Sequence, residues 1–157
     1  MLDYTITRND NPTSAEELSD ILANPGFGKH FTDHMVTIDW TEEEGWHDAQ
    51  VRPYGPMTME PASNVFHYGQ AIFEGIKAYR QPDGSIATFR PDHNAQRFIN
   101  SAERLAMPEL PQEEFIESPA PIGGGGSGLG TRSRRGRSAV PAPVYDLHRG
   151  LLGSSPG

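Results

Sequence analysis

Arg97 stands in the run Pro91-Asp92-His93-Asn94-Ala95-Gln96-Arg97-Phe98. A guanidinium suits one task well, because its planar fork of donors meets a multi-oxygen anion such as phosphate. By pattern alone the plainer role is a solvated helix cation paired with Asp92 or Glu103. Other side chains with chemical reach are few. Lys29 and Lys77 are the two lysines, and Lys77 reads as an exposed strand residue. Of the six histidines, His30 and His34 stand four apart. They fall in a loop-to-strand stretch without further ligands, so no metal site is expected. There are no cysteines, which excludes disulfides and thiolate metal centres.

Two late stretches look chemical and are discounted. Gly123 to Gly130 resembles a phosphate loop on the surface, yet no Gly-Lys-Ser/Thr ending and no preceding strand accompany it. Arg132-Ser133-Arg134-Arg135-Gly136-Arg137 could touch nucleic acid by charge alone. Without a fold to present it, no nucleic-acid partner is expected.

The elements that would position Arg97 are legible upstream. Thr13-Ser14-Ala15-Glu16-Glu17 holds two overlapping capping boxes, Thr13 to Glu16 and Ser14 to Glu17. A short helix should follow, with Leu18, Ile21 and Leu22 inward, ended by Asn24-Pro25-Gly26. Met35 to Trp40 reads as a strand, Thr41 to Asp48 as an acidic turn, and Ala49 to Tyr54 as the partner strand. A helical turn is expected after Pro61. Ile72, Glu74, Ile76 and Ala78 then alternate with Phe73, Gly75, Lys77 and Tyr79, the period of a strand. Pro82-Asp83-Gly84 turns it into a second strand, Ile86 to Phe89. Pro91 opens a helix whose buried stripe would be Ala95, Phe98, Ile99, Ala102 and Leu105. Pro111 to Glu117 starts another, which should need two or three more turns to bury Phe115 and Ile116. Pro119-Ala120-Pro121 stops it.

The chain has 157 residues and a net charge of −8, with pronounced asymmetry. Up to Ser118 acids dominate; beyond it stand five arginines and one aspartate, with ten of the 17 glycines. Residues 1–12 are polar and expected to be loosely held. Residues 119–157 hold too little apolar content to offset chain entropy and are expected to be disordered. No run is apolar enough to span a bilayer and no secretory-type start is seen, so a cytoplasmic, membrane-free protein is expected.

Five stretches together resemble one family. They are Gly26-Phe27-Gly28-Lys29-His30-Phe31-Thr32-Asp33-His34-Met35, Val36 to Trp40, Met59-Glu60-Pro61-Ala62-Ser63, His67 to Arg80, and Phe89 to Phe98. From about Pro25 to Glu117 the chain is similar to the N-terminal part of branched-chain amino-acid aminotransferases, fold-type-IV enzymes that use pyridoxal 5′-phosphate (PLP). The resemblance implies an α+β small domain over residues 13–118, with Arg97 on the cofactor phosphate. It implies Phe27, Tyr68 and Phe73 as walls for a branched aliphatic side chain, where each buried methylene is worth about 0.8 kcal/mol. Ordinary core packing is the competing role for those rings. Leucine, isoleucine or valine would exchange its amino group with 2-oxoglutarate, in a homodimeric or larger enzyme.

The resemblance also implies what this stretch does not contain. Neither Lys29 nor Lys77 matches the lysine that holds PLP covalently, which in the family lies in a larger downstream domain. No catalytic residue is therefore assigned, and the chain by itself is expected to be inactive. The abrupt change near Ser118 suggests a reading-frame shift. Related alternatives are another fold-type-IV enzyme, such as a D-amino-acid aminotransferase or an aminodeoxychorismate lyase, or a non-enzymatic fragment. The Gly28 to Met35 stretch favours the branched-chain group.

Overall fold

In a computed structural model of the chain, residues 2–24, 29–83, 85–118 and 138–139 are described. The centre is an antiparallel pair, β2 (His34–Thr41) and β3 (Gly45–Pro53), with Val36 opposite Val51 and Trp40 opposite Trp46. The turn is shorter than the acidic stretch suggested, because Gly45 to Asp48 already belong to β3. The Thr41 hydroxyl accepts from the Glu44 amide at 3.1 Å, and Gly45 takes the left-handed φ of 69° that the tight reversal needs. The register then slips between Thr37 and Asp39, which pair with Gln50 and His47. Asp48 absorbs this bulge at φ 47°, a conformation that aspartate tolerates better than branched residues do.

On the free edge of β3 lies β1 (Thr5–Ile6), running parallel, so the sheet order is β1-β3-β2. The polar first residues thus have specific partners. The Thr7 amide donates to the Val51 carbonyl at 2.8 Å, Leu2 to the Glu114 carboxylate at 3.0 Å, and Asn9 to His34 Nε2 at 3.0 Å.

Helix α1 (Ala15–Ala23) starts where the capping residues place it. The Ser14 hydroxyl accepts from the Glu17 amide at 3.1 Å. Thr13 serves elsewhere: its hydroxyl donates to the Asp33 carboxylate at 2.6 Å, pinning the helix entry to the start of β2. Leu18 and Ile21 are half-buried, as their spacing suggested.

The short helix α2 (Asn64–Tyr68) supplies the turn expected after Pro61, and Gly69 ends it in the left-handed region at φ 60°. The strand expected from Ile72 onward begins only at Lys77, as β4 (Lys77–Arg80). Among the described residues no strand neighbours 70–76, and the Gly75 carbonyl instead accepts from the Asn94 side chain at 2.9 Å. The alternation itself survives: Ile72, Glu74 and Ile76 are half-buried while Phe73, Gly75 and Lys77 are exposed. β4 pairs antiparallel with β5 (Ile86–Thr88), Ala78 opposite Thr88, as the hairpin reading required. Its other edge meets β6 (Ser138–Ala139), Ala78 opposite Ser138. Apart from those two residues, the Gly/Pro/Arg-rich segment 119–157 lies outside the described residues.

Helix α3 (Pro91–Arg104) has Pro91 in its first turn and buries Ala95, Phe98 and Ala102. Ile99 is half-buried, but Leu105 falls beyond the helix end and is exposed, so the stripe is one residue shorter than expected. Helix α4 (Gln112–Glu117) is only six residues long. It nevertheless buries Phe115 to 1% exposure, its ring centroid 5.2 Å from that of Phe98. The extra turns expected for this burial are not needed, because α3 and the sheet already supply the walls. Val36, Ile38, Ala49, Val51, Ala95 and Leu110 complete the core. The architecture is α+β: α3 and α4 share a core with the β1-β3-β2 sheet, and β5-β4-β6 forms a second three-stranded sheet.

Candidate functional site

Arg97 lies on α3, two turns from its start, with its side chain 61% exposed. Its partner is neither Asp92 nor Glu103. Arg97 Nε donates to Glu74 Oε2 at 2.9 Å and Nη2 donates to Glu74 Oε1 at 2.9 Å. The two groups meet side-on, the bidentate geometry that fixes a guanidinium in plane as well as position. Among the described residues Nη1 has no hydrogen-bond partner, so the end of the fork faces outward.

Glu74 is itself anchored. Its side chain is 13% exposed, and it also accepts from the Gly75 amide at 2.9 Å and from Asn94 Nδ2 at 3.1 Å. Burial alone would raise its pKa. The hydrogen bonds from Arg97, Gly75 and Asn94, together with the Arg97 charge, outweigh burial and hold the carboxyl below its ordinary range. The same contact raises Arg97 further, so the pair is fully ionised at neutral pH.

The aromatic candidates divide. Tyr68 closes α2 with 82% of its surface exposed, and Phe73 stands next to Glu74 with 92% exposed. Neither ring is core packing. Among the described residues no hydrogen bond or ring contact joins either to Arg97. Phe66 and Phe89 are exposed as well. Phe27 lies outside the described residues; Phe31, four positions on, stacks on Tyr54 with centroids 4.9 Å apart.

No protein-family model matches the chain. A branched-chain-amino-acid aminotransferase of Mycolicibacterium smegmatis is 61% identical over 117 residues, 74% of this chain and 32% of that protein. A probable branched-chain-amino-acid aminotransferase of Streptomyces coelicolor is 63% identical over 108 residues, 69% of this chain and 30% of that protein. The matched stretch is homologous to branched-chain-amino-acid aminotransferases. A branched-chain-amino-acid transaminase of Bacillus subtilis is more distant, 52% identical over 93 residues. The chain spans about a third of the length of the curated aminotransferases it matches.

Both lysines are exposed, Lys29 ahead of β2 and Lys77 opening β4. His34 is buried on β2, its Nε2 accepting from the Asn9 amide and its Nδ1 without a partner among the described residues. Among the described residues no cluster of three metal-ligating side chains occurs, and no helix is long and apolar enough to cross a membrane. Sequence reasoning overlooked Glu74 and Asn94. The signal was present in the alternation that put Glu74 on the inward side with Ile72 and Ile76, where a carboxylate needs a cation.

Proposed function

We propose that this chain supplies the anion clamp and part of the substrate wall of a PLP-dependent branched-chain aminotransferase of fold type IV. The observation that carries the reading is the 61% identity over 117 residues to an aminotransferase of that name. The geometry fits the cofactor's phosphate end: a partly exposed guanidinium, locked by Glu74 and free at its outer edge, suits a doubly charged multi-oxygen group. When bound, PLP supplies the electron sink that lets an amino acid lose its α-proton.

The chain's own residues then have limited tasks. Arg97 holds and orients the phosphate. Tyr68 and Phe73, with Phe27, wall the branched aliphatic side chain of leucine, isoleucine or valine, excluding water from it. 2-Oxoglutarate is the amino acceptor. Residues 13–118 form the small domain, and a larger domain and a second subunit cover the exposed rings. The covalent lysine comes from that larger domain, since Lys29 and Lys77 have no assigned role. Cytoplasmic location accords with this reading.

A chimera tests it. The matching segment of the Mycolicibacterium smegmatis protein is replaced by residues 1–117 of this chain, and transamination of leucine with 2-oxoglutarate is measured. Activity is expected, with loss of PLP retention on Arg97→Ala. A folded chimera that loads PLP yet does not transaminate branched-chain substrates would overturn the reading.

A further inference from the structure

We infer that Glu74 is a positioning residue for the anion site at Arg97, an inference that rests on the reading of Arg97 as a phosphate clamp. The edge of the guanidinium formed by Nε and Nη2 is taken by the Glu74 carboxylate through two 2.9 Å bonds. The carboxylate is fixed in turn by Asn94, one helical turn before Arg97, and by the Gly75 amide. Asn94 also binds the Gly75 carbonyl, so strip 74–75 and helix α3 are stitched at the point where the arginine emerges. The outer edge, Nη1 and the second proton of Nη2, is left for an incoming anion.

Two opposing effects bear on what Glu74 does to that anion. Its negative charge repels the anion, an effect that solvent screens at a site this exposed. Against this, an arginine loses much rotamer freedom when it binds, and Glu74 has already removed that freedom. The bidentate contact with the side edge, rather than the outer edge, favours the second effect. Glu74 therefore presets the clamp instead of competing for it.

The test uses the 157-residue chain and sodium sulfate, a dianion with no chemistry of its own, at constant ionic strength. Saturable shifts of the backbone amides of residues 94–98 and of the Arg97 Nε–H are followed by NMR. Wild type is expected to saturate, and Arg97→Ala to abolish saturation. Glu74→Gln is expected to weaken sulfate about fivefold, a typical coupling for groups in contact. Glu74→Asp recovers part of this loss, and Glu74→Gln has no effect on the residual sulfate response of Arg97→Ala. Thermal melting confirms that each variant is folded, and Asn94→Ala serves as a second route to loosen Glu74. Absence of saturation in wild type, or its survival in Arg97→Ala, defeats the clamp reading itself. Saturation that needs Arg97 but is unchanged or tightened by Glu74→Gln defeats the positioning role alone.

Discussion

The ring of Phe115 sits 5.2 Å from that of Phe98, tilted by 38°, and joins the six-residue α4 to the longer α3. Helix α4 is too short to be stable by its own hydrogen bonds. This contact, with Leu110 beside it in the core, is what retains it. Phe115→Ala should cost about 3–5 kcal/mol, read as a lower urea midpoint. Phe115→Leu should cost much less. Equal losses for both would show that the site collapses around any smaller residue.

Acid sensitivity should trace to Glu74. Its folded pKa is depressed, so its contribution is complete above the ordinary carboxylate value and is lost as pH falls through the depressed one. Melting temperature should therefore decline from about pH 5 downward, and Glu74→Gln should flatten that limb. A variant whose acid limb matches wild type would place the sensitivity elsewhere.

Alkaline behaviour has a different source. The Tyr4 hydroxyl is buried with no hydrogen-bond partner among the described residues, and burial, with the Glu114 and Glu117 carboxylates, pushes its pKa up to about 12. A raised folded pKa leaves stability constant below the unfolded value and lowers it as pH climbs toward the folded one. Stability should fall between about pH 10 and 12. Tyr4→Phe should remove this fall and, with no partner left behind, change neutral-pH stability by under about 1 kcal/mol. Ultraviolet titration of the phenols and urea melts at each pH measure both effects.

The isolated 157-residue chain should not transaminate. Lys29 and Lys77 are both solvent-exposed, whereas a lysine that links the cofactor works from a pocket that shields it. Mixed with PLP, leucine and 2-oxoglutarate, the chain should produce no glutamate above a PLP-only blank and no visible-region band of lysine-linked cofactor. Glutamate production that disappears on Lys77→Arg would place covalent chemistry within this stretch.

Much of the fold was legible where apolar periodicity was strong. The β2–β3 pair, the 77–88 hairpin and α3 all follow from alternation or helical spacing. The failures have local causes. Thr5–Ile6 is too short to show a period, so its parallel pairing on β3 had no signature. Acidic residues hid the start of β3, because a bulge at Asp48 shifts the alternation that would have shown it. Strip 70–76 kept strand-like alternation without a strand partner among the described residues, and hydrogen bonding, not pattern, decides that distinction. At the candidate site Arg97 was named from resemblance, while its partner Glu74 sits 23 residues away and no local rule joins them. Charge pairing across elements is a property of the packed chain.

Trp40 and Trp46 face one another across β2 and β3, and the Trp46 indole donates to the Glu109 carbonyl at 2.9 Å. They are the chain's two tryptophans. Indole emission is therefore a private optical window on this hairpin and its tether ahead of α4, while far-ultraviolet dichroism watches mainly α3. Coincident urea curves by the two signals would mark sheet and helix as one cooperative unit, and separated curves would reveal which lets go first.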